Sequence, residues 1–232
     1  DRDWSSDVCS SDLAEKSEHM IITNKRTSTI YNDKQYPATM AGHRIPMVDE
    51  HKHLGITMNH HLTWNSHVAK VRTKCAQRLG ILRRCSKHLS KKTIKIIYCA
   101  TIRPIMEYGC ALWSGDSFSS LQNLQNRFEK LYGIPLPPLR DRFNYHTILL
   151  FFKIRKKLAP DYLQPLLPEP FSTSVQYNLR KQNYPIPYVN RKRSMTTFLP
   201  RALLLWNSLP SELQQKAKLS SFKIALRAYF KL

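Results

Sequence analysis

From His51 to Met106 the chain runs for 56 residues without one carboxylate side chain and carries twelve Lys and Arg. A folded segment of that length ordinarily holds several acids. Surfaces mix both signs to limit self-repulsion, so whatever these residues fold into must put its cations in water or against an anion. The bias recurs: Pro170 to Pro210 also lacks acids and carries six Lys and Arg. A merely solvated basic face is the plain alternative to an anionic partner.

The 232 residues suffice for a hydrophobic core in one domain or two small ones. A formal charge of +21 suits nucleic acid better than an acidic small molecule, with an anionic membrane surface as the rival partner. No apolar run approaches the roughly 18–20 residues of a membrane span, and the N-terminus has no signal-peptide character. Five cysteines, at 9, 75, 85, 99 and 110, form neither a CxxC pair nor a disulfide framework, which fits a reducing, intracellular setting in cytoplasm and nucleus. Arg2–Leu13 (RDWSSDVCSSDL) resembles the conceptual translation of a short-read sequencing adapter. On that reading residues 1–13 are a disordered artefact, the frame begins at a break, and losing one Arg and four Asp leaves the remainder at +24.

Local patterns predict an α+β chain that is mostly helical. Glu18–Thr23 reads as a strand, Tyr36–Val48 as one or two strands about a Gly42 turn, and His53–Met58 as a third in which Gly55 marks a bulge or a close backbone approach. So few strands suggest the edge of a larger sheet. From Thr63 the period turns helical. Asn65 or Ser66 is the expected cap, and Val68, Val71, Cys75, Leu79 and Leu82 fall within an arc of about 80°. Lys70, Lys74 and Arg78 cluster away from that stripe, with Arg72, Arg83, Arg84 and Lys87 flanking.

Ser90 should cap a second helix, which starts with Lys91 and Lys92 and is kinked by Pro104. Ser117–Leu131 predicts a third helix with Leu121, Leu124, Phe128 and Leu131 inward and Gly133 as its stop. A fourth is expected from Arg140 to Leu158, and a short one through Leu167. A proline-containing connector follows at 168–197, then Phe198–Trp206 and a capped helix from Ser220 to Tyr229.

Two-metal phosphoryl transfer needs converging carboxylates, and the sequence has no adjacent Asp pair. Four of its nine Asp lie in the adapter-like segment; Asp33, Asp49, Asp116, Asp141 and Asp161 are isolated. His51, His53, His60, His61 and His67 crowd one region but match no zinc spacing, so they are expected to face solvent or nucleic acid, and no metal site is assigned. Trp64, Trp113 and Trp206 could stack on bases, but their apolar neighbours favour core packing.

Five segments stand in a telling order: Lys16–Thr23 (KSEHMIIT), His53–Trp64 (HLGITMNHHLTW), Arg78–Arg84 (RLGILRR), Ile102–Trp113 (IRPIMEYGCALW) and Trp206–Pro210 (WNSLP), with Ser221–Phe222 beyond. With them, residues 14–232 resemble the C-terminal part of reverse transcriptases, the RNA-directed DNA polymerases, of jockey-like non-LTR retrotransposons. The resemblance implies that the catalytic Asp residues, their Mg2+ ions and the rest of palm and fingers belong to a region upstream, so that this fragment binds without catalysing and needs no cofactor of its own. It implies that Lys16 matches a lysine that assists pyrophosphate departure, a possible general acid, and that 14–62 is the remnant of the palm sheet. There Leu54 and Gly55 match a hairpin that grips the primer end, although His53 stands where an aromatic commonly precedes Leu-Gly. Residues 63–132 are then a helical thumb following the template–primer duplex or RNA–DNA hybrid. Phosphate contacts come from Lys70, Arg72, Lys74, Arg78, Arg83, Arg84, Lys87, Lys91 and Lys92, and 133–232 form a C-terminal extension. The implied partner is nucleic acid and not membrane; a stand-alone basic helical RNA- or DNA-binding protein derived from such an element is the alternative.

Overall fold

The computed structural model describes residues 16–22, 37–40, 42–115, 118–170, 184–187 and 195–232. Residues 1–13, and most of the 168–197 connector, lie outside the described residues. The fold is α+β and predominantly helical, with two short antiparallel hairpins on the N-terminal side. Contacts divide the chain between Ala69 and Lys70 into two compact units.

In the first unit, β1 (Ala38–Met40) pairs with β2 (His43–Ile45) around Gly42, whose φ of 80° is one that only glycine adopts freely. The second hairpin corrects an expectation. His53–Met58 is not one strand: β3 (Glu50–His53) turns back through Leu54 and Gly55 into β4 (Ile56–Asn59), with His53 opposite Ile56. Both turn residues have positive φ, 45° and 86°, the backbone twist that a two-residue hairpin requires. The expected strand at Glu18–Thr23 is likewise reduced to a single parallel bridge, His19 to Met47. His19 donates to the Pro46 carbonyl at 3.1 Å, and Pro46 has no N–H with which to extend a ladder. The hairpins form separate two-stranded sheets rather than one edge.

An isolated hairpin is marginal in water, so β4 needs anchoring. The Thr57 amide donates to His67 Nδ1 at 3.2 Å, and both residues are buried. His67 was expected at the surface; instead it satisfies a buried backbone donor, which would be costly to leave unpaired. Asn59 and Thr63 exchange two further bonds, Thr63 N to Asn59 Oδ1 at 2.7 Å and Asn59 Nδ2 to Thr63 Oγ1 at 2.6 Å. Helix α1 (Asn65–Cys85) then begins one or two residues earlier than a cap at Asn65 or Ser66 would place it, with the Trp64 carbonyl accepting its first bond from Val68.

In the second unit the α1 stripe is buried as its period requires: Val71, Cys75, Leu79 and Leu82 are all 6% exposed or less. Burial raises the Cys75 thiol to about 12, so it is an inert core group. After a 3-10 turn at Ser86–His88, Ser90 Oγ accepts from the Thr93 amide at 3.1 Å and caps α2 (Lys91–Ile97). The kink expected at Pro104 takes the form of a widened turn. Tyr98–Ile102 is π-helical, and the Arg103 amide reaches back five residues to the Tyr98 carbonyl before α3 (Arg103–Glu107) resumes. Proline cannot donate to residue i−4 and its ring crowds that carbonyl, so one extra residue in the turn relieves both.

Gly109 (φ 60°) reverses the chain into α4 (Cys110–Trp113), and Trp113 Nε1 donates to the Tyr108 carbonyl at 2.9 Å from a fully buried ring. In α5 (Ser119–Tyr132), Leu121, Leu124 and Phe128 are buried, and Gly133 (φ 62°) ends the helix. Leu131, expected inward, is 42% exposed. Tyr132 lies about 20° from Leu121 around the helix, against about 80° for Leu131, and its ring centroid is 5.1 Å from that of Phe128.

A second cluster joins α6 (Leu139–Arg155), α7 (Phe198–Asn207), α8 (Ser211–Gln214) and α9 (Leu219–Tyr229). Phe152 stacks on Phe222 with centroids 4.0 Å apart, and Trp206, fully buried, packs against Phe151. Helix α6 stops three residues short of the expected Leu158. Lys157 turns left-handed (φ 54°) and Leu158 bonds back to the Lys153 carbonyl. The short helix expected through Leu167 is a 3-10 turn at Asp161–Leu166. Helix α9 starts at Leu219, after Lys218 and without the expected side-chain cap.

One largely covered acid links α3 to α6. Glu107, whose side chain is 13% exposed, pairs with Arg142 Nε, lies 3.3 Å from His146 Nε2 and 3.8 Å from Arg103 Nε. Burial pushes the Glu107 carboxyl up, but hydrogen bonds from His146 and Arg142 and the charge of Arg142 outweigh it and hold it at about 2. A depressed carboxylate stabilises the fold above its ordinary value near 4.5 and loses that contribution as pH falls toward 2. Urea unfolding of wild type and Glu107→Gln should therefore differ most above pH 5 and converge progressively below it; a pH-independent difference would contradict this role.

Candidate nucleic-acid interface

The nine cations singled out by the sequence are all exposed: Lys70, Arg72, Lys74, Arg78, Arg83 and Arg84 on α1, Lys87 in the 3-10 turn, and Lys91 and Lys92 in the first turn of α2. They belong to the second unit. Taking about 100° per residue, Lys70, Lys74 and Arg84 share an arc of about 80° directed away from the buried stripe. Arg72 and Arg83 lie on the opposite flank. Among the described residues, Arg72, Lys74, Arg83, Arg84, Lys87 and Lys92 have no carboxylate partner. The sequence around them offers none, since the first acid after Glu50 is Glu107, which is engaged with α6.

Two of the nine serve the fold as well. Arg78 Nη1 donates to the Thr101 carbonyl at 2.8 Å, holding an acceptor of the widened turn. The Thr101 hydroxyl in turn donates to the Ile97 carbonyl at 2.7 Å. The Lys91 ammonium lies beside Gly133, 3.5 Å from where a Cβ there would stand, at the carbonyl end of α5 that favours a cation. Tyr132 meets Ser86 at 3.3 Å through their hydroxyls, fixing the turn that carries Lys87. The spacing of cations on α1 gave no sign of these tasks, because each partner is a backbone carbonyl or a helix end distant in sequence.

In the first unit, Leu54 and Gly55 form the exposed tip of the β3–β4 hairpin, Leu54 with 77% of its surface in water. Lys16 is exposed in a turn. The histidines are tied locally: His51 Nδ1 is 3.0 Å from Glu18 Oε2, His60 Nδ1 is 3.6 Å from Asp49 Oδ1, and His67 is buried against Thr57. Among the described residues no three His, Cys, Asp or Glu side chains converge as metal donors would. Trp113 and Trp206 are core residues and Trp64 is half-buried. No helix among the described residues is long and apolar enough to cross a membrane.

Sequence reasoning missed the Glu107–Arg142–His146 cluster. Its one signal was the isolation of Glu107 at the end of an acid-free run, in an apolar helix where a charge needs partners. Arg78→Ala should lower stability by about 1–2 kcal/mol, the loss of one charge-assisted hydrogen bond at a partly solvated site, whereas Lys74→Ala should stay within about 0.5 kcal/mol of wild type. Denaturant unfolding separates the two, and equal effects would remove the structural task assigned to Arg78.

No protein-family model matches the chain, and no solved structure matches it. It is similar to a probable RNA-directed DNA polymerase from transposon BS of Drosophila melanogaster, 27% identical over 123 residues, which is 48% of this chain and 14% of that protein. The match thus spans about one seventh of the length of that curated relative. This similarity relates the chain, at a distance, to a transposon RNA-directed DNA polymerase.

Proposed function

We propose that this chain is a nucleic-acid-gripping portion of a reverse transcriptase of the non-LTR retrotransposon kind, acting inside the cell on a template–primer duplex. The reading rests on one observation above all: α1 buries an apolar stripe and carries six exposed cations within a stretch that has no acid. Such a helix attracts phosphates regardless of base sequence, as a polymerase requires of whatever it copies. Lys70, Lys74 and Arg84 span about 21 Å of helix and supply the main contacts, joined by Lys87 and Lys92. The exposed tip at Leu54 and Gly55 supports a contact with the primer end, and Lys16 a proton donor to departing pyrophosphate where the catalytic carboxylates are present. The distant similarity to a transposon polymerase supports the same reading.

Two measurements test it. Fluorescence anisotropy with a short DNA duplex and an RNA–DNA hybrid should show affinity that falls steeply with salt. Lys70→Ala, Lys74→Ala and Arg84→Ala together should reduce the slope of log K against log salt by up to about 2.7, at about 0.9 per phosphate. An unchanged slope would sink this face. Primer extension with the full chain should yield no nucleotide incorporation, and measurable incorporation would show that it is more than a grip.

A further inference from the structure

A second set of cations sits at the other end of the second unit. Residues 213–232 contain no Asp or Glu and hold Lys216, Lys218, Lys223, Arg227 and Lys231. Lys223 is half-buried and the other four are exposed. Among the described residues none of the five has a carboxylate partner.

These cations stand on a fixed scaffold. Helix α9 is seated by Phe222 and Leu226, both fully buried, the first stacked on Phe152. Lys223 and Arg227 are one turn apart, about 6 Å along the axis. Lys231 follows in a closing turn held by bonds from its own amide to the Ala228 carbonyl at 3.2 Å and from the Leu232 amide to the Arg227 carbonyl at 3.0 Å. Lys216 and Lys218 lie between α8 and α9.

Two polyanions could meet such a surface. A helix that binds membranes does so by sinking its apolar face below the headgroups. The apolar face of α9 is already committed to the core; of the helix's large apolar side chains only Tyr229 on that side and a lone Ile224 on the outward side are exposed, 44% and 71%. What is left to offer is charge without insertion, which matches the phosphates of a nucleic-acid backbone.

We propose that α9 and its flanking turns form a second, sequence-independent nucleic-acid-binding surface, contacting phosphates through Lys216, Lys218, Lys223, Arg227 and Lys231. It uses a different helix and different residues from the face on α1, so the two stand or fall separately.

The test is the triple variant Lys223→Ala, Arg227→Ala and Lys231→Ala in the full chain, with circular dichroism and urea unfolding to verify the fold. Binding of a fluorescein-labelled 20-base-pair DNA duplex and RNA–DNA hybrid is measured between about 50 and 200 mM salt. A slope lower by about 1 to 2.7 is expected, the upper value making the loss of affinity over that range about 40-fold smaller than in wild type. A change below about 1 overturns the proposal. So does binding of the wild-type chain to anionic phosphatidylserine vesicles but to neither duplex. If this variant keeps the wild-type slope while the α1 variant loses its own, only the α9 surface falls. If the α9 variant loses slope and the α1 variant does not, the α9 surface stands and the α1 reading falls. If the fold of the triple variant fails, Lys216→Ala with Lys218→Ala, outside the helix, is read in its place against an expected fall of about 1 to 1.8.

Discussion

Leaving the Glu107 carboxylate buried and alone would cost several kcal/mol, and residues 70–232 are arranged so that it is not alone. It sits at the end of α3, and the residues that meet it, Arg142 and His146, come from α6. Helix α6 also supplies Phe151 and Phe152 to the aromatic cluster with Trp206 and Phe222. Arg201, on α7, donates to the Ala111 carbonyl and to the Thr147 hydroxyl, tying α4, α6 and α7 at one point. The helices after the widened turn are thus registered to the aromatic cluster by a few charged groups contributed by α3, α6 and α7.

The acid-free run has the opposite consequence. Cations that find no carboxylate nearby must take carbonyl partners or remain in water. Arg78 takes the Thr101 carbonyl and Lys91 lies at the end of α5, while most of the remainder face solvent. A surface of this kind repels itself at low salt and gains from any polyanion that releases counterions on binding. Binding to such a partner, as proposed above, would be electrostatic in origin.

The segments that carry the resemblance to retrotransposon polymerases turn out to be structural pins. In Arg103–Gly109 the proline widens the turn, the glutamate holds α6, and the glycine permits the reversal that places Trp113. In Trp206–Pro210 the tryptophan fills the core and Asn207 exchanges two bonds with the Tyr184 backbone, at 2.8 and 3.0 Å. The proposed binding role rests instead on exposed charged positions such as Lys74 and Arg84.

Local sequence was enough wherever a short-range rule decides the outcome. The apolar stripe of α1, the Ser90 cap, the Gly42 turn, the Gly133 stop and the burial of Cys75, Trp113 and Trp206 follow from helical period, hydroxyl capping, positive φ and hydrophobicity. Tertiary structure alone decided what depends on a distant partner. His67 is buried because the Thr57 amide needs an acceptor, Arg78 is held by the Thr101 carbonyl, and Tyr184 enters the core because Asn207 meets its backbone. Leu131 yields its inward place to Tyr132 because Phe128 offers that ring a neighbour. Sequence states how many cations must find anions or water; only the packed helices settle which of them are left over.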